Sequence, residues 1–291
     1  MKKFAMAAVA AAAMTVGVAN AYTVGGFSNG VVIPNVIHNG TADTTAIGVI
    51  ANGAAGVYWT FFDQNSQHIT DGCFPVTDKM FKGLVWADPA FSGTNTAGVR
   101  GYMVLTTGVS CSNPAPTTST IAANAFHVTA ASSDVAYVPV IDGPLTLDYA
   151  GTGTTVTTMN ENTLTGVAGA AQVSTSTTFN MRYFIDGATG GTDTRIVVWS
   201  VGDQKRTHTV DMYDNAQNRK SVNFTLANTE LDWFDPETIV GRPAAFLDGF
   251  IEWNATPASF GRTTGPVSVF TYSVISAPAF GAVQTILGAH R

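Results

Sequence analysis

The chain is poor in charge. Asp, Glu, Lys and Arg make up only 12% of its 291 residues, and acids outnumber bases 20 to 14, for a formal net charge of −6. Globular chains usually carry about a quarter charged residues. No Lys/Arg cluster occurs, and Arg219-Lys220 is the densest pair. Nucleic acid and anionic lipid both require basic patches, so this composition excludes them as partners. Histidine is scarce as well. His38, His68, His127, His208 and His290 form no HExxH and no other close pair, which excludes a zincin-type metal site. There is no phosphate-cradling glycine loop and no CxxCH attachment. The expectation is no catalytic residue, no metal and no cofactor. Beyond the first twenty residues no apolar run reaches the roughly 18 to 20 residues of a membrane span. Helical spacing is nearly absent, which argues against a helical body.

What is present begins with an address. Lys2 and Lys3 precede an apolar run, Phe4 to Val18, and Ala19-Asn20-Ala21 is a small-x-small cleavage site. This is the pattern of a secretory signal peptide over residues 1–21, too short and Ala-rich for a good membrane span. The mature chain then starts at Tyr22, and export to the periplasm, outer surface or medium is expected. In that setting the only two cysteines, Cys73 and Cys111, are expected to form one disulfide.

The chain also repeats itself. VYWTFFDQNSQH, Val57 to His68, returns as HTVDMYDNAQNR, His208 to Arg219. TAIGVIA (45–51) matches TRIVVWS (194–200), CFPVT (73–77) matches NFTLA (223–227), and VRGYMV (99–104) matches LDGFIE (247–252). The order is kept at an offset near 150 residues, the mark of a tandem supersecondary unit. The second copy has Asn223 near the place of Cys73 and Ser259 near that of Cys111, so the disulfide serves the first copy alone.

Period-two alternation with aromatic and β-branched residues marks strands throughout, for example Val57, Trp59 and Phe61 against Tyr58 and Thr60. Asp63-Gln64-Asn65-Ser66 and Asp214-Asn215-Ala216-Gln217 read as matching hairpin loops. Short helical turns are expected around 78–81 and 236–240. The pattern predicts an all-β chain: two tandem antiparallel β-sandwich modules, immunoglobulin-like or jelly-roll-like, after the signal peptide. The boundaries are 22–142 for module one, 143–177 for a Gly/Thr-rich connection and 178–291 for module two. An outer-membrane barrel is the architectural rival, but its strands need about ten residues each, and most strands here look shorter.

Three places invite chemistry. In ELDWFDPET, Asp232, Asp235 and Glu237 flank Trp233 and Phe234, and two carboxylates beside an aromatic are the minimum for a glycosidase. Against that, Asp235-Pro236 also reads as the start of a short helix, and W-x-D-P recurs at Trp86, Asp88 and Pro89, which favours structure over catalysis. Asp63, Asn65 and Asp71 offer oxygen ligands, but the calcium-loop consensus is not met, and a plain hairpin is preferred. The alternating face shared with Val210 makes His208 a hydrogen-bonded core residue rather than a ligand.

At VYWTFFDQNSQHITDG with VRGYMV, and at TRIVVWS with SVISAPAFGAVQTILGAHR, the chain resembles uncharacterised secreted two-repeat proteins of Gram-negative environmental bacteria. The resemblance implies export and a β fold, and it implies no activity. The reading is therefore a non-catalytic structural, adhesive or surface-assembly protein, not an enzyme. Self-association by strand exchange through GVVIPNVI, in the segment Tyr22 to Ile37, is one expected mode. Binding of surface polysaccharide through exposed aromatics at Trp86, Trp233 or Trp253 is the alternative, and a hydrolase built on ELDWFDPET comes third.

Overall fold

The computed structural model describes residues 25–92, 96–129, 134–145, 164, 167–188 and 190–291. The signal peptide and most of the 143–177 connection lie outside these residues. The described chain is nearly all β. Its strands are β1 (Gly30–Ile37), β2 (Asp43–Asn52), β3 (Ala55–Asp63), β4 (His68–Val76), β5 (Phe81–Val85), β6 (Arg100–Gly108), β7 (Thr120–Thr129), β8 (Asp134–Val138) and β9 (Ile141–Asp142), then β10 (Ala171–Val173). There follow β11 (Thr177–Phe184), β12 (Asp193–Ser200), β13 (Thr207–Asp214), β14 (Arg219–Thr225), β15 (Leu231–Phe234), β16 (Asp248–Ala255), β17 (Val267–Ala277), β18 (Ala282–Leu287) and β19 (Ala289–His290).

The strands form four antiparallel sheets. Sheet 1 has the order β5-β2-β7-β8, and sheet 2 the order β4-β3-β6-β1-β9. Sheet 3 runs β10-β17-β12-β15, with β18 also on β17, and sheet 4 runs β14-β13-β16-β11-β19. Replacing each strand of sheet 2 by the strand ten places later gives sheet 4 in the same order. The same replacement turns sheet 1 into sheet 3, with β10 as the one addition. The starts of equivalent strands lie from 147 (Gly30 to Thr177) to 152 (Ala55 to Thr207) residues apart. The duplication read from motifs is thus a duplication of topology.

Local chemistry repeats with it. Asp63 accepts from the backbone N–H of Asn65 and Gln67 at 2.8 and 2.9 Å, and Asp214 from those of Ala216 and Asn218 at 2.9 and 2.8 Å. Both are Asx-type turns, with Ser66 and Gln217 at positive φ in matching places. Gly101 and Gly249 match as well. A Cβ at either would run into the carbonyl oxygen of the facing strand, Phe62 or Tyr213, so only glycine allows the approach.

Packing gives three cores. Val31, Ile33, Ile47, Trp59 and Trp86 belong to the core between sheets 1 and 2. Phe179, Met181, Ile196, Val198 and Trp253 belong to the core between sheets 3 and 4. The third core joins the two sandwiches: Val32, Phe62, Tyr102 and Val104 of sheet 2 meet Val197, Trp199, Phe270 and Tyr272 of sheet 3, with Leu145 and Val167 of the connection. The molecule is a four-layer stack whose first and third sheets also meet at one edge, where Asp134 of β8 accepts from the Val283 N–H of β18 at 2.6 Å and the Tyr137 carbonyl accepts from the Thr285 hydroxyl. Sheets 2 and 3 are covered on both faces, which is why β1 is buried at every position and most of β12 and β17 is buried too. The outer strands β11 and β13 keep the alternation of one-sided burial. Two modules each closed around a separate interior is therefore an incomplete description, since a third apolar layer fuses them.

Other sequence expectations shift in detail. A short helix forms at Pro89–Ser92, whereas 78–81 makes only a turn. The second expected turn is a 3-10 segment at Pro236–Thr238, capped by Asp235. Part of the 143–177 connection, β10, joins sheet 3. GVVIPNVI completes its own sheet, between β6 and β9. The sheets stack as sandwiches rather than closing as a cylinder, and among the described residues no helix is long and apolar enough to cross a membrane.

Candidate functional site

The residues singled out from the sequence separate in space. The Cys73–Cys111 disulfide is formed, tying β4 to the β6–β7 connection. Trp86 and Trp253 are each 1% exposed, so neither offers the surface aromatic that sugar stacking requires. Trp86 packs edge-on to Trp59 in one sandwich, and Trp253 lies beside His208 and Phe224 in the other. The two W-x-D-P motifs are not equivalent at their tryptophans. Trp233 lies opposite Val197 in the β12–β15 ladder, a place held in module one by Gly83 opposite Gly48. At the Asp-Pro step the copies do agree, because Asp88 and Asp235 each accept an N–H two residues on, at 2.9 and 2.7 Å, and start a short helix.

Trp233 is 41% exposed, at the seam between the sandwiches. The Arg100 guanidinium of module one lies 3.9 Å from its ring centroid and Arg195 lies 5.5 Å away. The ring is thus engaged by cations from both modules. Arg100 is held by Asn35 at 3.0 Å, and burial lowers its pKa from the usual arginine value. Asp232 and Asp235 of ELDWFDPET are committed within module two. Asp232 is buried and accepts N–H groups of Ala227, Asn228 and Trp233. Asp235 caps its 3-10 turn and pairs with Arg195 at 2.6 Å. Asp193, Asp235 and Glu237 bring carboxylate oxygens within 4.8 Å of one another, and Arg195 bridges the first two, supplying the neutralising charge a metal would otherwise bring. Burial, ahead of the Arg195 attraction, still raises the Asp193 carboxyl pKa.

His208 is buried and donates from Nε2 to the Gln204 carbonyl at 2.9 Å, with burial holding its pKa below the ordinary value. It borders an open polar depression of about 370 Å³ lined also by Arg206, Thr209, Asn254 and Ser259.

The feature that sequence motifs did not flag is the outer face of sheet 1. The inward residues of β2, Ile47, Val49 and Ala51, fill the first core, so Ala46, Gly48 and Ile50 point out. Ladder partners share a face. The register therefore adds Phe81, Gly83 and Val85 of β5, then Asn124, Phe126 and Val128 of β7, and Val135 and Tyr137 of β8. None is charged. Asp43, Lys82 and Asp134, the charged residues of these four strands, have the opposite parity. Phe81 is 65% exposed and Val135 48%, while Ile50, Val85 and Phe126 are each more than a third exposed. Phe126 and Tyr137 meet edge to face at 6.0 Å. Scattered apolar residues on a surface are ordinary, but a contiguous uncharged sheet face marks an interaction site.

Sheet 4, the opposite end of the stack, contrasts with it. Its outer face carries the ion pairs Arg182–Asp248, Arg219–Asp211 at 2.6 Å and Arg291–Glu252 at 3.2 Å.

No family model and no curated protein matches the chain. Among solved structures it is similar to the apo form of the Pleurotus ostreatus lectin, at 11% identity over 92% of this chain and 78% of that one, with a TM-score of 0.21. A lectin from Pleurotus ostreatus in complex with GalNAc gives 12% identity over 94% and 81% of the two chains, with a TM-score of 0.20. An oxalate decarboxylase gives 5% identity over 84% and 65%, with a TM-score of 0.19. Likeness at these TM-scores supports no statement about function.

Proposed function

We propose that the chain is an exported, non-catalytic structural or surface-assembly protein that works by docking through the outer face of sheet 1. The observation that carries this reading is the uncharged apolar face itself. Its equivalent in module two, the outward face of sheet 3, is covered by sheet 2 within the same chain. This place in the fold is thus a docking surface once in the molecule, with the larger Val197, Trp199, Phe270 and Tyr272 in sheet 3, and in sheet 1, with Gly48, Ile50, Ala122 and Asn124 at those ladder places, it stands open. Burying exposed Phe, Val and Ile side chains is favourable by about 25 cal/mol per Å² of apolar surface.

The test is a photo-reactive side chain placed singly at 81, 126, 209 or 213 in the cells that make the protein. Docking through sheet 1 gives adducts at 81 and 126 but not at 213, on sheet 4. Surface glycans, the alternative, fit the hydroxyl- and amide-lined depression beside His208, and would give sugar adducts at 209 instead. Absence of adducts at 81 and 126 removes the docking proposal.

A further inference from the structure

Sheet 2 of module one packs on sheet 3 of module two, and these sheets are not equivalent to each other. The contact inside the chain is therefore head-to-tail, and it leaves one surface of each kind free: sheet 1 at one end, sheet 4 at the other. Repeating that contact between molecules would lay sheet 4 of one copy on sheet 1 of the next and grow a filament. The sequence blocks this route. By the strand registers, Val32, Thr60 and Val104 of sheet 2 become Asn180, Asp211 and Glu252 in sheet 4. Laying those acids and the arginines they pair with on an apolar face would take the charges out of water with no polar group opposite to compensate. The occupant of sheet 1 must itself be flat and uncharged.

We infer that this occupant is a second copy of the same chain, sheet 1 on sheet 1 about a two-fold axis. The inference rests on the reading of sheet 1 as a docking face and names its partner. Two arguments carry it. The full chain has a formal net charge of −6, and removing Lys2 and Lys3 with the signal peptide makes each mature copy more negative still, so copies repel overall and this face is one that brings no like charges together at the contact. The size also suffices. Four strands about 4.8 Å apart and about 25 Å long give roughly 500 Å² per copy. A pair then buries about 1,000 Å², the lower bound for a specific interface. A face that meets its own copy satisfies isologous symmetry with no second surface needed.

The experiment is sedimentation equilibrium of the purified mature protein over a range of concentrations, with Phe126→Lys, Val135→Lys and, on sheet 4, Asp211→Lys. A dimer is expected, weakened at least tenfold by either sheet 1 substitution and unchanged by Asp211→Lys. Because both native cysteines are paired, Phe126→Cys supplies the single free thiol for a disulfide-linked homodimer under mild oxidation. Thermal melts identify any variant that fails to fold, and the two independent Lys variants guard against that outcome. A wild-type monomer at about 100 μM overturns the inference, as does a dimer indifferent to both Lys variants. Oligomers larger than two that need both sheet 1 and sheet 4 also overturn it. A monomer that still gives adducts at 81 and 126 in cells leaves the docking face standing and removes only the second copy.

Discussion

At the scale of single residues, burial decides which polar groups stabilise and which cost. Asp142 on β9 is buried, and its Oδ2 accepts from the Gly26 N–H at 2.6 Å while Oδ1 has no hydrogen-bond partner among the described residues. Burial raises its pKa above the usual carboxylate value, outweighing the Gly26 bond. The folded chain then holds this proton more tightly than the unfolded chain. Stability from this site is greatest at low pH and falls as pH rises through the ordinary value to the raised one. Asp142→Asn is expected to stabilise by about 1 kcal/mol at pH 7, with the difference vanishing near pH 3. Guanidinium midpoints at the two pH values check this, and a destabilised variant at pH 7 would refute it. Residue type alone misled at tryptophan. Trp86 and Trp253 look like sugar platforms in sequence, yet in strands that end in a core the large ring is the best filler. The His208 expectation held because alternation with Val210 fixed its face.

At the scale of elements, two copies of one hairpin have diverged in use. The 63–68 turn reaches across the seam, where the Gln64 carbonyl accepts from Glu230 and Leu231 N–H at 3.1 Å each and Tyr102 Oη donates to Glu230 at 2.8 Å. Its counterpart at 214–219 has the same Asx geometry and stays at the surface. Local chemistry sets the turn, and position in the stack sets its partner. The disulfide is likewise an element-level device, since Asn223 takes the ladder place of Cys73 in the second copy. With the cysteines 38 positions apart in sequence, Cys73→Ser with Cys111→Ser is expected to cost about 3 to 4 kcal/mol. The chemical midpoint should fall, while hydrogen exchange in β11–β16 keeps its protection relative to the global value. Equal loss of protection in both modules before global unfolding would show that the bond is not a local staple.

At the scale of the whole molecule, the third core makes the stack one body. Trp199 is fully buried in it, beside Tyr102 of the other module at 6.0 Å between ring centroids. One calorimetric transition is expected for the wild type, and Trp199→Ala is expected to cost about 3 to 5 kcal/mol and separate the unfolding into two steps. Two resolved transitions in the unmodified chain would contradict this coupling. The signal for the stack was present in the sequence. GVVIPNVI and the IVVW of β12 are continuous apolar runs, as strands covered on both faces should be, while β11 and β13 alternate. Strand character, the turns, the duplication and the cysteine pair follow from the chain alone, because each is fixed by period, by local hydrogen bonding or by scarcity. Which sheet lies on which, and so which apolar face is covered and which is open, required tertiary structure. Sheets 1 and 3 are built from equivalent strands, but Gly48, Ile50, Ala122 and Asn124 on the outward side of sheet 1 stand where sheet 3 has Val197, Trp199, Phe270 and Tyr272. A continuous apolar run tells that a strand is covered on both faces, but which sheet supplies the cover is a property of long-range packing that no local pattern carries.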